Sequence, residues 1–205
     1  MFRSIVTLAL IIGSLVCSGQ SDSIVTGRGY HIGIKASYNS SLIYPGMSAG
    51  VEFLIKTKVV SNLKNRSEFK PKIINQLLTL NINWYHHPAF HDNIYLTTEW
   101  VIRKVKQSGI FSEFSTGPGF SRTFLGGTTY RVTDGGTVSV KKLAGYSYAL
   151  ITIGGAIGYD FRNMKKDPLS AYAKMNLISM FPYNSTIYIR PVIELGVRLT
   201  INHFF

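Results

Sequence analysis

The C-terminal segment from Ile187 to Phe205 reads IYIRPVIELGVRLTINHFF. Every second side chain from Ile189 to Ile201 is apolar, whereas the intervening positions include Arg190, Glu194 and Arg198. A period of two indicates a β-strand with one apolar and one polar face. Strands of soluble proteins are usually about five or six residues long. The length of this segment therefore predicts a strand that crosses a membrane as part of a β-barrel.

The same alternation occurs in seven further segments, which makes an even total of eight, as single-chain bacterial barrels have. The predicted strands are Gly29 to Tyr38, Gly46 to Lys58, Ile74 to His86, Asn93 to Val105, Phe111 to Phe124, Tyr146 to Phe161, Leu169 to Phe181 and Ile187 to Phe205. We therefore predict an all-β protein, an eight-stranded antiparallel up-and-down transmembrane β-barrel. Barrels of this size have an interior that is filled by side chains.

A soluble eight-stranded barrel of the lipocalin kind would show the same alternation, with its apolar series facing inwards. Most tyrosines and tryptophans of this chain, among them Tyr38, Trp84 and Tyr188, lie near the ends of predicted strands. Aromatic girdles lie at the membrane surfaces in transmembrane barrels. This placement favours the membrane barrel.

The N-terminus has the plan of a secretory signal peptide. Arg3 precedes an apolar run from Ile5 to Val16, and small residues follow it up to Gly19. The run is shorter than the roughly 20 apolar residues that a membrane helix needs. We expect cleavage after Gly19, so that residues 1–19 are the signal peptide and residues 20–205 form a single barrel domain. Export of such a barrel predicts an outer-membrane location.

Other stretches of the chain resemble known outer-membrane barrels. A last strand that ends in an aromatic residue, here Phe205, resembles the assembly signal of these proteins, which implies the barrel-assembly machinery as a partner. The chain as a whole resembles small barrels of the OmpA and OmpX kind, and a signal that ends before Gln20 is similar to those of Bacteroidetes. The segments similar to exported barrels of that phylum are 83–88 (NWYHHP), 117–124 (GPGFSRTF), 158–161 (GYDF) and 182–186 (PYNST). The resemblance implies the fold and the location, and no activity.

The chain is basic, with 22 Lys and Arg against 10 Asp and Glu. Such a balance fits nucleic acid, anionic lipid or an acidic protein, and export argues against nucleic acid. The predicted outer loops hold three basic and two acidic residues, whereas the predicted periplasmic connections hold nine basic and two acidic. The basic collar consists of Lys64, Arg66, Lys70 and Lys72. We expect it to contact lipid head groups, or to dock an acidic periplasmic protein or a larger envelope complex.

The inward series of the predicted strands contains many charges. The expected lumen network consists of Lys35, Glu52, Lys56, Glu99, Arg103, Glu113, Asp160, Lys174, Arg190, Glu194 and Arg198. Charges inside a narrow barrel must pair, because burial without a partner costs several kcal/mol per ion. The sequence predicts a salt-bridged plug that fills the lumen. A gated ion path is the alternative.

Candidate chemistry is limited to a few polar residues. His86, His87 and His91 flank a predicted strand end, where imidazoles can approach a metal. Some eight-stranded barrels modify lipid A with a serine and a histidine, and Ser41 or Ser185 beside His87 or His91 would supply that pair. No HExxH, P-loop or dinucleotide motif occurs. We expect no catalytic residue, metal or cofactor, and a structural or accessory role. The alternatives are a lipid A-modifying enzyme and a narrow ion channel.

Overall fold

The computed structural model describes residues 30–41, 44–60, 72–132, 135–161, 168–183 and 186–203. These residues form ten β-strands: β1 (Tyr30–Ser41), β2 (Tyr44–Val60), β3 (Lys72–His87), β4 (His91–Val105), β5 (Ile110–Leu125), β6 (Tyr130–Val132), β7 (Val138–Val140), β8 (Ser147–Asp160), β9 (Leu169–Tyr183) and β10 (Thr186–His203). Eight of them close into a barrel in the order β1, β10, β9, β8, β5, β4, β3, β2. The strands β6 and β7 pair separately as a hairpin within the connection from β5 to β8.

Each barrel strand pairs antiparallel with the barrel strands before and after it in the chain, and β1 closes against β10. The predicted all-β, eight-stranded antiparallel up-and-down architecture is confirmed. Five strands start earlier than predicted. The strands β2, β3 and β4 begin two residues earlier, at Tyr44, Lys72 and His91, and β5 and β10 begin one residue earlier, at Ile110 and Thr186. Within the described ranges, no helix has the length and apolar character that crossing a membrane would require.

The two ends of the barrel differ in their connections. The loop end carries the connections β1–β2, β3–β4 and β9–β10 and the long connection from β5 to β8, which contains the hairpin. The terminal end carries the start of β1, the end of β10 and the other three connections. We expect the loop end to face the outside of the cell, because export by a signal peptide predicts that both termini lie on the periplasmic side.

The outer surface of the barrel is apolar along all eight strands. One outward side chain from each strand illustrates this: Ile34, Met47, Ile82, Leu96, Phe114, Ile153, Met175 and Leu195 are between 49% and 65% exposed. The inward positions between them are polar and buried, as at Thr79 and Ser121, which are 0% exposed. This distribution is the reverse of that in a water-soluble barrel.

A β-bulge in β2 changes which side chains at the end of this strand face the lumen. The pairing of β2 with β3 shifts register between Leu54 and Lys56, so an extra residue reverses which side chains face inwards beyond it. Thr57 faces the lumen, and its hydroxyl donates to Asn75 Oδ1 at 3.0 Å. Lys56 is exposed. The prediction that Lys56 belongs to the lumen network was therefore wrong.

Several predicted features lie outside the described residues. They are the signal peptide 1–19, the collar residues Lys64, Arg66 and Lys70, and the terminal Phe205. The fourth collar residue, Lys72, is the first residue of β3 and is exposed at the terminal end.

Candidate functional site: the barrel lumen

A cluster of two arginines and two glutamates crosses the lumen towards the terminal end. Glu52 Oε2 accepts a hydrogen bond from Arg103 Nη2 at 2.7 Å and lies 2.8 Å from Arg198 Nε. Glu113 contacts the same two arginines, and Arg198 Nη2 lies 3.1 Å from its Oε1. All four side chains are at most 8% exposed. The cluster ties together β2, β4, β5 and β10.

The register of the strands explains how this cluster forms. Arg103 and Glu113 are directly opposite each other on β4 and β5, where oppositely charged side chains attract. Glu52 lies opposite Gly33 on β1, which leaves room for its side chain to extend across the lumen. Both guanidinium groups also lie beside the ring of Phe111, 5.5 Å and 5.4 Å from its centre. Cation–π attraction adds to the ion pairs.

A second layer of charges lies deeper in the lumen. Lys174 Nζ donates to Glu99 Oε2 at 2.6 Å, and the Thr152 hydroxyl donates to Glu99 Oε1 at 3.4 Å. Each of these charged side chains is 4% exposed. The layer therefore pairs a buried ammonium with a buried carboxylate, as burial of both charges requires.

Neutral donors stabilise the remaining carboxylate, Glu194. The hydroxyls of Tyr172 and Ser37 donate to its Oε1 at 2.7 Å and 2.8 Å. Asn176 Nδ2 donates to Oε2 at 3.3 Å. Lys35, which is 5% exposed, acts on this carboxylate through its charge. The predicted network contained charged residues only, so it did not include these three neutral donors, although all three have inward positions in the alternation.

The two layers are balanced in charge. They contain four cations, Lys35, Arg103, Lys174 and Arg198, and four carboxylates, Glu52, Glu99, Glu113 and Glu194. Two further predicted lumen charges are also buried: Asp160 at the terminal end of β8 and Arg190 near the loop end of β10. The structure thus brings eight of the eleven predicted residues into two layers and leaves Asp160 and Arg190 outside them.

Glycines make the space that the long side chains occupy. An added Cβ at Gly154 would overlap the Asn176 amide oxygen and lie 2.9 Å from Lys174 Cε. The next residue, Gly155, faces outwards, and the nearest atom to its added Cβ is 3.8 Å away. The missing side chain at Gly154 therefore leaves the room that Asn176 and Lys174 occupy in the lumen.

We expect Gly154→Ala to lower the free energy of unfolding by about 1–3 kcal/mol, because overpacking displaces Lys174 from Glu99. The matched variant Gly155→Ala should leave it within about 0.5 kcal/mol, as changes at open sites do. Urea titration of barrels folded into lipid vesicles measures both. Equal midpoints for the two variants would mean that the lumen has spare room at Gly154.

The loop end of the lumen is lined by aromatic rings. Arg190 is 3% exposed, and its guanidinium carbon lies 3.9 Å from the ring centre of Tyr85 and 5.4 Å from that of Tyr95. The Tyr85 hydroxyl lies 3.3 Å from His91 Nε2. A cavity of about 410 Å³ opens beside these groups, and Tyr44 and Phe90 also contribute to its wall.

His91 lies beyond the apolar band of the outer surface. On β4 the outward apolar side chains begin at Ile94, and the next outward residue towards the loop end is Asp92. Burial lowers the pKa of His91, and the neighbouring His87 and Arg190 lower it further. His91 is therefore mainly uncharged at neutral pH.

The three histidines considered as metal ligands do not share a face. Because successive residues of a strand point to opposite sides, His86 faces outwards, where its Nδ1 lies 2.8 Å from Asp92 Oδ1. His87 and His91 face the lumen with their rings stacked, 5.1 Å between centres. Among the described residues, no group of three or more His, Cys, Asp or Glu is arranged to hold a metal ion.

The candidate serine–histidine pair has no support at Ser41. The Ser41 hydroxyl donates to the backbone oxygen of Pro191 at 3.1 Å. His87 Nδ1 accepts from the backbone N–H of Ala89 at 3.3 Å. Ser185 lies outside the described residues.

Comparisons with known proteins give similarity of fold only. No protein-family model and no curated protein matches the chain. The N-terminal β-barrel domain of Pseudomonas aeruginosa OprF is 12% identical, with 85% of this chain and 100% of that chain covered and a TM-score of 0.47. For Neisserial surface protein A the identity is 14%, the coverage 85% and 97%, and the TM-score 0.43. The outer membrane enzyme PagL is 10% identical, with 82% of this chain and 98% of that chain covered and a TM-score of 0.40.

Proposed function

We propose that this chain is an outer-membrane barrel with a structural or accessory role, whose lumen is closed by its own side chains. The observation that supports this most directly is the cluster of Glu52, Glu113, Arg103 and Arg198, which joins four strands across the lumen. Buried ion pairs with several hydrogen bonds hold their side chains in fixed positions. A plug of this kind leaves no continuous path for hydrated ions.

The apolar outer surface supports the membrane location. Monomeric soluble proteins rarely expose continuous apolar patches above a few hundred Å², whereas here the exposed apolar side chains encircle the barrel. Secretion by a signal peptide, with both termini on the periplasmic side, remains part of the proposal. We propose that an acidic periplasmic partner binds the collar residues Lys64, Arg66, Lys70 and Lys72.

We expect the purified barrel to give no stepwise conductance in planar lipid bilayers. Because the plug is made of ion pairs in two layers, the quadruple variant Arg103→Ser, Glu113→Ser, Lys174→Ser and Glu99→Ser should weaken both layers without changing the net charge of the lumen, and should conduct. Heat-modifiable migration in gels establishes that both barrels are folded before they are measured. Steady conductance of the unaltered barrel would contradict the closed lumen and favour the channel.

The lipid A-modifying alternative is tested separately. The hydroxyl of Ser41 is bound to a backbone oxygen rather than to a histidine, so we expect deletion of the protein to leave the mass spectrum of lipid A unchanged. A loss or gain of acyl chains in the deletion strain would contradict the structural role.

A further inference from the structure

The cavity at the loop end differs in chemistry from the two charged layers beneath it. Its wall is built mainly from inward positions of seven barrel strands, including Tyr44 of β2, His87 of β3, Tyr148 of β8 and Arg190 of β10. Of the described residues in the wall, none is acidic and Arg190 is the one with a permanent charge. An anion in the cavity would therefore lie beside one positive group that is surrounded by aromatic rings.

Unlike Arg103, Lys174 and Arg198, each of which contacts a carboxylate, Arg190 has no ion-pair partner among the described residues. Its Nε and Nη1 are buried and have no hydrogen-bond partner among the described residues. The ring of Tyr85 covers one face of the guanidinium at 3.9 Å, but a ring face offers no acceptor to the N–H groups of Nε and Nη1 at the edge. Buried donors without acceptors are costly, and an arginine has five donors arranged to hold a carboxylate or a phosphate.

The charge balance of the lumen gives no structural reason for this arginine. The four cations and four carboxylates of the two layers already compensate one another. The other buried acid, Asp160, is the last residue of β8, at the terminal end, whereas Arg190 lies near the loop end of β10. The arrangement leaves the positive charge of Arg190 available to a group that enters from the loop end.

We propose that this cavity binds a small organic anion, whose carboxylate or phosphate pairs with Arg190 and whose apolar body lies against the aromatic wall. The volume of about 410 Å³ is in the range of small-molecule sites. The wall residues face the lumen, so the ligand enters from water at the loop end and not from the lipid. The assignment holds whether or not the lumen conducts.

The test is calorimetric titration of the full-length barrel, folded in bicelles of zwitterionic lipid, with benzoate as the probe. Benzyl alcohol is the uncharged analogue of the same shape, and inorganic phosphate is the anion without an apolar body. The variants are Arg190→Met, Arg190→Lys and the control Arg122→Met. Arg122 is on the outer face near the loop end, bound to Ser147 at 2.8 Å. Heat-modifiable migration in gels shows whether each variant is folded. If Arg190→Met does not fold, Arg190→Lys is the variant that tests the proposal.

We expect saturable binding of benzoate that Arg190→Met weakens by about tenfold or more, equivalent to ~1.4 kcal/mol. Arg190→Lys should weaken it less, and Arg122→Met should leave it unchanged. Equal binding of benzyl alcohol, unchanged binding in both Arg190 variants, or no binding of benzoate would overturn the proposal. Phosphate binding as tightly as benzoate would overturn the role of the aromatic wall. Competition by phosphatidylglycerol in the bicelles would overturn the assignment to a water-borne ligand.

Discussion

Replacement of Glu113 by alanine is expected to lower the free energy of unfolding by roughly 3–5 kcal/mol, the usual cost of breaking a buried ion pair. Glu113 contacts both Arg103 and Arg198, and its side chain is 5% exposed. Removal of the carboxylate leaves two guanidinium groups with Glu52 as their shared partner. The cost arises from the uncompensated charge more than from the lost contact.

Two further variants separate these causes. The double variant Arg103→Met with Glu113→Leu removes one charge of each sign, and we expect it to recover at least half of the loss. The control Asp92→Asn removes an acid whose pair with His86 is nearly half exposed, and it should change stability by less than about 1 kcal/mol. Urea unfolding in lipid vesicles, monitored by tryptophan fluorescence, measures all three. A loss from Glu113→Ala no larger than that from Asp92→Asn would mean that water screens the cluster and that the lumen is open.

The fold of this chain is predictable because the alternation of apolar and polar residues that determines it lies within each strand. Alternation along one strand, as from Ile189 to Ile201, needs no knowledge of the neighbouring strands. The β-bulge at Leu54 to Lys56 is the exception. An extra residue reverses the face of every side chain that follows it in the strand. The sequence does not reveal this residue, because Lys56 and Thr57 are both compatible with a regular strand. The short hairpin of β6 and β7 was also not predicted, because three-residue strands carry too few alternations to detect.

The lumen residues were predictable as a set but not as pairs. Inward position follows from alternation, so Glu99 and Lys174 could be assigned to the lumen from the sequence alone. Their contact depends on how far β4 and β9 are staggered around the barrel, which no local pattern records. For the same reason, the sequence placed Arg190 in the network, whereas the structure separates it from every carboxylate of the two layers. The outlying position of Arg190 is the basis of the anion site that we propose.

Substitution of Leu195 by arginine gives the sharpest test of the membrane location. Leu195 is in the middle of β10, faces outwards between Tyr38 of β1 and Ala173 of β9, and is 57% exposed. If the barrel crosses a membrane, arginine at this depth should cost about 2–4 kcal/mol of folding free energy. Ile187→Arg, at the loop end of the same strand, should cost no more than about 1 kcal/mol, because charge is tolerated near the membrane surface.

The comparison is informative because neither side chain contributes to the interior packing. Leu195 and Ile187 are both exposed on the outer face, so arginine at either position displaces no lumen side chain and breaks no ion pair. In a water-soluble barrel both substitutions would exchange an exposed apolar group for a solvated charge, with effects within about 0.5 kcal/mol. Folding titrations in lipid vesicles measure the difference between them directly. A difference of 1 kcal/mol or more therefore has the surrounding lipid as its cause, and equal, small effects would place this barrel in water.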